Sequence, residues 1–206
     1  MTVKSMCFLM VELIAVLAFS LSVADAAALV SLPRTGQTTC WDASGSPIAC
    51  AGTGQDGDKQ VGVALPSTRF NDNGNGTITD KLTGLVWLKN ANCFGYKPWT
   101  TALNKANTLS NGACSLSDGS KAGDWRLPNR KELQSLLNRQ QGNSIAYLGS
   151  YGFSAIQQPT ADVLYWTSTT SAEDDSMAWS INFGDSSINR SVKSYAGYIW
   201  PVRDSQ

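Results

Sequence analysis

Histidine is absent from the chain, which removes Ser-His-Asp and Cys-His nucleophile systems, imidazole zinc sites and imidazole acid-base catalysis together. The side chains left to do chemistry are amides, carboxylates, cations, an occasional phenol and cysteines. In the last third of the chain Asn182, Asn189, Arg190, Lys193 and Tyr195 stand beside an acidic turn, Asp174-Asp175. Amides, mixed charges and an aromatic ring suit hydrogen bonding to sugar hydroxyls or to a polar protein surface. The same residue types also occur on plain solvated strands and turns. Arg190 alternates with Ile188 and Val192, so its stem is expected over the core with its head group hydrogen-bonded.

Four cysteines, Cys40, Cys50, Cys93 and Cys114, form an even set once Cys7 in the N-terminal leader is set aside. Four cysteines allow three pairings, and proximity in sequence favours Cys40–Cys50 and Cys93–Cys114. A structural zinc site would want closely spaced cysteine pairs, and none is present. Asn71, Asn73, Asn75 and Gly76 imitate the start of a calcium loop, but three ligands would be neutral amides and Leu82 occupies the position where a bidentate Glu is needed. No cofactor is expected; Asp56, Asp58 and Asp72 leave a structural calcium open.

The elements that must position these residues begin with the stretch Gly123–Arg139. Pro128 biases Leu127 away from helix, Asn129 is placed as an N-cap, and Glu132 three residues on completes a capping box. Leu133, Leu136 and Leu137 then form an inward stripe that predicts a helix running towards Gly142. Ahead of the turn, Trp125 and Leu127 point inward and Arg126 outward. A first helix is predicted over Pro98–Ser110 from Trp99, Ala102, Leu103, Ala106 and Leu109. A hairpin is predicted from Thr77–Thr79 and Leu85–Leu88, and late strands over Tyr165–Thr169, Met177–Phe183, Ser187–Ser194 and Tyr198–Arg203. In the second of these, Met177, Trp179, Ile181 and Phe183 are expected to face the core while Ala178, Ser180 and Asn182 face water. Trp87, Trp125, Trp166 and Trp200 are likewise expected in the core, and Gly142–Asp162 reads as a long loop.

With 206 residues, 42% hydrophobic and 16% charged, the chain can bury a sizeable core, and its formal net charge of zero disfavours nucleic acid as a partner. Lys4, the apolar run Leu13–Val23 and Ala24-Asp25-Ala26 read as a signal peptide spanning residues 1–26. Glu12 leaves that run short of the ~20 residues a membrane span needs, so the protein is not expected to span a membrane. Residues 27–66 read as an N-terminal extension with a disulfide loop, and 67–206 as the main domain. The expected location is outside the cytoplasm: periplasmic, secreted or at the cell surface.

Phe70–Asp80, Thr83–Trp87, Gly123–Asn129 with Glu132-Leu133, Tyr165–Ser168 and Trp200–Arg203 together carry a resemblance. In these segments the chain resembles the bacterial family known as domain of unknown function 1566, which is similar to the C-terminal domain of a Legionella collagen-like adhesin. The resemblance implies an α+β, C-type-lectin-like domain related to the formylglycine-generating enzyme superfamily. Two helices, a sheet built from the chain ends and a second sheet bearing a variable surface are expected, with mostly antiparallel strands and two disulfides. The family advertises no established activity, so the residues of the late sheet decide: a non-catalytic binding module that takes a surface glycan or protein ligand is expected, with Asp174, Asp175, Asn182, Asn189, Arg190, Lys193 and Tyr195 as ligand-binding candidates. A structural subunit of a surface appendage is the alternative. Chemistry of the formylglycine-generating type needs late cysteines, and the last one here is Cys114. The Glu-Pro-Asn and Trp-Asn-Asp motifs of calcium-dependent lectins are missing too, with Gln158-Pro159-Thr160 only a faint echo of the first.

Overall fold

The computed structural model describes residues 32–158 and 163–205. The expected signal peptide and the Pro159-Thr160 part of the lectin echo lie outside the described residues. The chain begins with a small hairpin, β1 (Cys40–Trp41) and β2 (Pro47–Ile48), and one turn of helix, α1 (Asp56–Lys59). β3 (Phe70–Asp72), β4 (Thr77–Asp80) and β5 (Leu85–Leu88) follow as a meander, then β6 (Tyr96–Pro98), α2 (Trp99–Asn107), α3 (Arg130–Ser135) and α4 (Ser144–Gly149). The chain closes with β7 (Tyr165–Thr170), β8 (Met177–Ile181), β9 (Ile188–Val192), β10 (Ala196–Tyr198) and β11 (Val202–Asp204).

Two larger sheets result. One has four antiparallel strands in the order β11-β5-β4-β3, and the other five in the order β6-β10-β7-β8-β9, where only β10 and β7 run parallel. The segment expected to be one strand, Tyr198–Arg203, is two: the chain leaves the five-stranded sheet at Tyr198 and joins the four-stranded one at Val202. Pro201 cannot donate to a ladder. The crossing buries Ile199 and Trp200 completely between them. Trp200 also ties the crossing to the meander, because its Nε1 donates to the Leu88 carbonyl at 2.8 Å.

The five-stranded sheet is covered on both faces. Tyr165, Ile181 and Phe183 belong to the main core with Trp87, Trp125 and Trp200. On the other face Trp166 and Ala178 pack against Ala102 and Ala106 of α2, with Leu127 and Ile199. Ile181 and Phe183 of the β8 segment are buried as expected, but Trp179 is only half-buried, and Ala178, Ser180 and Asn182, expected to face water, are buried too. The two polar ones are tolerated there because Ser180 Oγ meets Ser191 Oγ at 3.0 Å and Asn182 Oδ1 accepts from the Gly184 N–H.

The capping box on α3 is present: the Asn129 side chain accepts from the Glu132 N–H at 2.9 Å, and Glu132 accepts from the Asn129 N–H at 2.7 Å. The helix stops at Ser135, short of the expected extent. Ser135 Oγ bonds back to the Glu132 carbonyl at 2.7 Å, and buried Arg69 takes the Ser135 carbonyl at 2.8 Å while pairing with Asp80. With those groups diverted, Leu136 and Leu137 are held by i−3 bonds instead. Within the expected loop Gly142–Asp162, α4 forms: Asn143 caps it by accepting from the Ala146 N–H at 3.0 Å, and Ile145 and Leu148 are buried.

Both proximity pairings of the cysteines are present, Cys40–Cys50 and Cys93–Cys114, with Cα separations of 5.2 and 5.6 Å. The N-terminal segment lies against the stretch that follows α3. Thr38 and Thr39 N–H groups donate to Gln140 Oε1 at 2.6 and 3.1 Å, and the Arg139 N–H donates to the Thr35 carbonyl at 3.0 Å.

Candidate ligand-binding surface

β7 is interrupted where it meets the Gly123–Arg139 stretch. Its register against β8 shifts between Trp166 and Thr170, a bulge that turns successive side chains to different sides. The Ser168 N–H donates to the Pro128 carbonyl at 2.8 Å, and Thr169 Oγ1 accepts from the Arg130 N–H at 3.0 Å. The start of α3 is thereby sewn to the bulge, and an open cleft lies on either side. One, of about 440 Å³, is lined by Asn129, Arg130, Lys131, Gln134 and Thr169. The other, of about 550 Å³, is lined by Thr100, Leu103, Asn104, Asn107, Arg126, Leu127 and Ser168.

Beyond the first cleft, the guanidinium of Arg130 lies 3.8 Å from the centre of the Trp179 ring. Arg190 stands directly opposite Trp179 on β9 and is ion-paired with Glu173. A half-buried indole thus sits between two arginines, one of them neutralised. Such cation–π contacts contribute about 0.5–1 kcal/mol at exposed sites.

The expected binding residues divide into two groups. Asp174, Asp175, Arg190 and Lys193 come together around the β7–β8 turn: Lys193 Nζ donates to the Asp175 carbonyl at 2.8 Å and lies 4.2 Å from the centre of the Trp99 ring. Asp174 Oδ1 accepts from the Ser176 N–H and Oγ at 2.9 and 2.6 Å, and these bonds hold its carboxyl below the usual carboxylate range. Tyr195, in the β9–β10 turn, is 64% exposed. Asn189 adjoins Arg190 on β9 but projects to the opposite face, in register with Ser180, and Asn182 lies just past the end of β8 that is remote from the Asp174-Asp175 turn. Asn189 Nδ2 donates to Ser187 Oγ at 2.8 Å. Asn182, expected on the water-facing side, is 7% exposed and accepts from the Gly184 N–H at 2.8 Å; it shapes the turn into β9.

The residues not anticipated as part of a binding surface are Arg126, Asn129, Arg130, Lys131, Gln134, Ser168, Thr169 and Trp179. For Arg130, Lys131 and Gln134 the signal in the sequence was their place off the leucine stripe of α3. The expected calcium-loop imitation is spent on a turn: Asn73 Nδ2 donates to the Thr77 and Thr79 hydroxyls, and Asp72 is ion-paired with Lys89. Among the described residues, no group of three or more His, Cys, Asp or Glu converges in a way that could hold a metal ion, and no helix is long and apolar enough to cross a membrane.

Together these features define a disulfide-stapled α+β domain with mostly antiparallel sheets and an indole-centred polar surface held on rigid elements. The chain belongs to the family of the Lcl C-terminal domain, which matches residues 76–203. The matched span takes in the Thr83–Trp87, Gly123–Asn129, Tyr165–Ser168 and Trp200–Arg203 segments, and the family agrees with the resemblance to a collagen-like adhesin's C-terminal domain. No curated protein matches the sequence.

Proposed function

We propose that the protein is an exported, non-catalytic recognition module that holds a glycan or protein ligand at the cell surface, as an adhesin domain does. The observation that carries this reading is the half-buried Trp179 beneath Arg130, flanked by Arg190, Glu173 and an open polar cleft. An aromatic anchor ringed by fixed polar groups is the composition of a contact site. Family membership and the two disulfides favour the same reading. So does the pairing of β11, at the chain's end, with β5, which supports a C-type-lectin-like scaffold of the domain-1566 kind. Binding is proposed to need no metal.

The test is the mature protein on a glycan array and against a panel of surface proteins, beside Trp179→Ala, Arg130→Ala and a Lys193→Ala/Tyr195→Ala pair. Affinity for a bound probe should fall at least about tenfold in the Trp179 and Arg130 variants, with melting little changed and no effect of chelator. Unchanged affinity in all of them, with binding lost on changing the Cys40–Cys50 loop, would move the site to the N-terminal extension. Absence of any bound probe together with self-assembly into polymers would favour a structural subunit instead.

A further inference from the structure

α2 carries a second stripe beside the apolar one it buries. Thr100, Leu103, Asn104 and Asn107 fall at i, i+3, i+4 and i+7 on one side of the helix. They face Arg126, Leu127 and Ser168 across the second cleft. Asparagine is a poor helix residue, and elsewhere here it serves turns and caps, as Asn73, Asn129 and Asn143 do. Asn104 and Asn107 do neither: both are exposed, and among the described residues neither carboxamide has a hydrogen-bond partner. Packing gives no reason for two amides at these positions.

The cleft has the makings of a sugar site. Half-buried Leu103 offers apolar surface over the buried Leu127, while Thr100, Asn104 and Asn107 offer hydroxyl and amide groups around it, and Ser168, whose Oγ donates to the Pro128 carbonyl at 3.3 Å, can still accept. A pyranose presents the same mixture of C–H faces and equatorial hydroxyls, and about 550 Å³ is ample for one ring. Charge decides the class. The single ionised group in the lining, Arg126, is already gripped by Glu132 through two bonds of 2.8 Å and by Asp204 at 3.2 Å. Its charge is answered within the protein, so the cleft holds no spare cation for an anionic ligand.

We infer that this cleft is a subsite for a neutral sugar ring. The inference rests on the recognition-module reading and adds a second contact site to the Trp179 surface. The probes are the methyl glycosides of glucose, galactose, mannose and N-acetylglucosamine, titrated into ¹⁵N-labelled mature protein, with methyl glucuronide as the charged comparator. At least one neutral glycoside should shift the amides of Leu103, Asn104, Asn107 and Ser168 and the two asparagine side-chain NH₂ groups. Asn104→Ala/Asn107→Ala should weaken that binding about tenfold or more without lowering the melting temperature, since both side chains are exposed. Still resonances at these positions with every neutral glycoside would overturn the subsite. So would binding of the glucuronide about tenfold tighter than its neutral counterpart. A protein that binds array glycans through Trp179 while its α2 resonances stay still would keep the recognition reading and lose this inference alone.

Discussion

Arg130 covers the ring of Trp179 at 3.8 Å, and it does so from the first residue of a helix whose N–H is held by Thr169 of the strand beside it. The stack therefore joins α3 to β8 through a side chain while the bulge joins α3 to β7 through the backbone.

Because Trp179 is half-buried, the contact should be worth about 0.5–1 kcal/mol. A double-mutant cycle on Arg130→Ala and Trp179→Ala, read by urea denaturation, should return a coupling of that size. Trp125→Ala, which empties a fully buried site, should cost about 3–5 kcal/mol. Equal losses for Trp125 and Trp179 would mean that Trp179 is a core residue and not a surface anchor.

Gly197 is the narrow point of the five-stranded sheet. A Cβ there would lie 2.2 Å from Leu164 Cδ1 and 2.7 Å from Trp166 Nε1, the atom that donates to the Lys97 carbonyl at 3.0 Å. Gly197→Ala should therefore destabilise by about 1–3 kcal/mol through overpacking. Trimming Trp166 to Phe in the same chain should recover part of the loss if the clash is the cause. A neutral Gly197→Ala would show that the indole does not cross this strand.

Acid should unfold the protein progressively below its carboxylate range. Asp72 is held below the usual carboxylate range first by its hydrogen bond from Lys89, Asp174 by that from Ser176, and Asp185 by that from Ser187. A carboxyl with a depressed folded pKa contributes stability that is present above its unfolded value and is lost as pH falls through the folded one. The urea midpoint should thus stay level down to about pH 4 and fall beneath it. In a carboxyl NMR titration, Ser176→Ala should return Asp174 towards its ordinary value. An Asp174 curve indifferent to that substitution would remove the stated cause.

Much of this molecule is legible locally. The Asn129–Glu132 capping box, the apolar stripe of α2 and the hairpin strands Thr77–Asp80 and Leu85–Leu88 depend on interactions within a few residues, so spacing alone reveals them. The disulfide pairs follow from loop length in the same way. α4 is not legible because it is six residues long with only Ile145 and Leu148 as a stripe; Phe70, whose ring meets that of its Tyr147 edge-on, comes from distant sequence.

Three features belong to the tertiary structure alone. That Ala178 is buried depends on the second apolar cluster, which joins it to Trp166, Leu127 and the α2 alanines, and a period of two cannot say whether one face of a strand is covered or both. The end of α3 at Ser135 is decided by Arg69, 66 residues away in sequence, which claims its carbonyl. And the surface itself, Arg130 on Trp179 with Asn104 and Asn107 across from Arg126, is assembled from α2, α3 and the late strands. Residue types along the chain determined which groups could bind and which chemistry was excluded. Which of them meet was decided only by packing, because contacts between distant segments are set by the shared core and leave no periodicity behind.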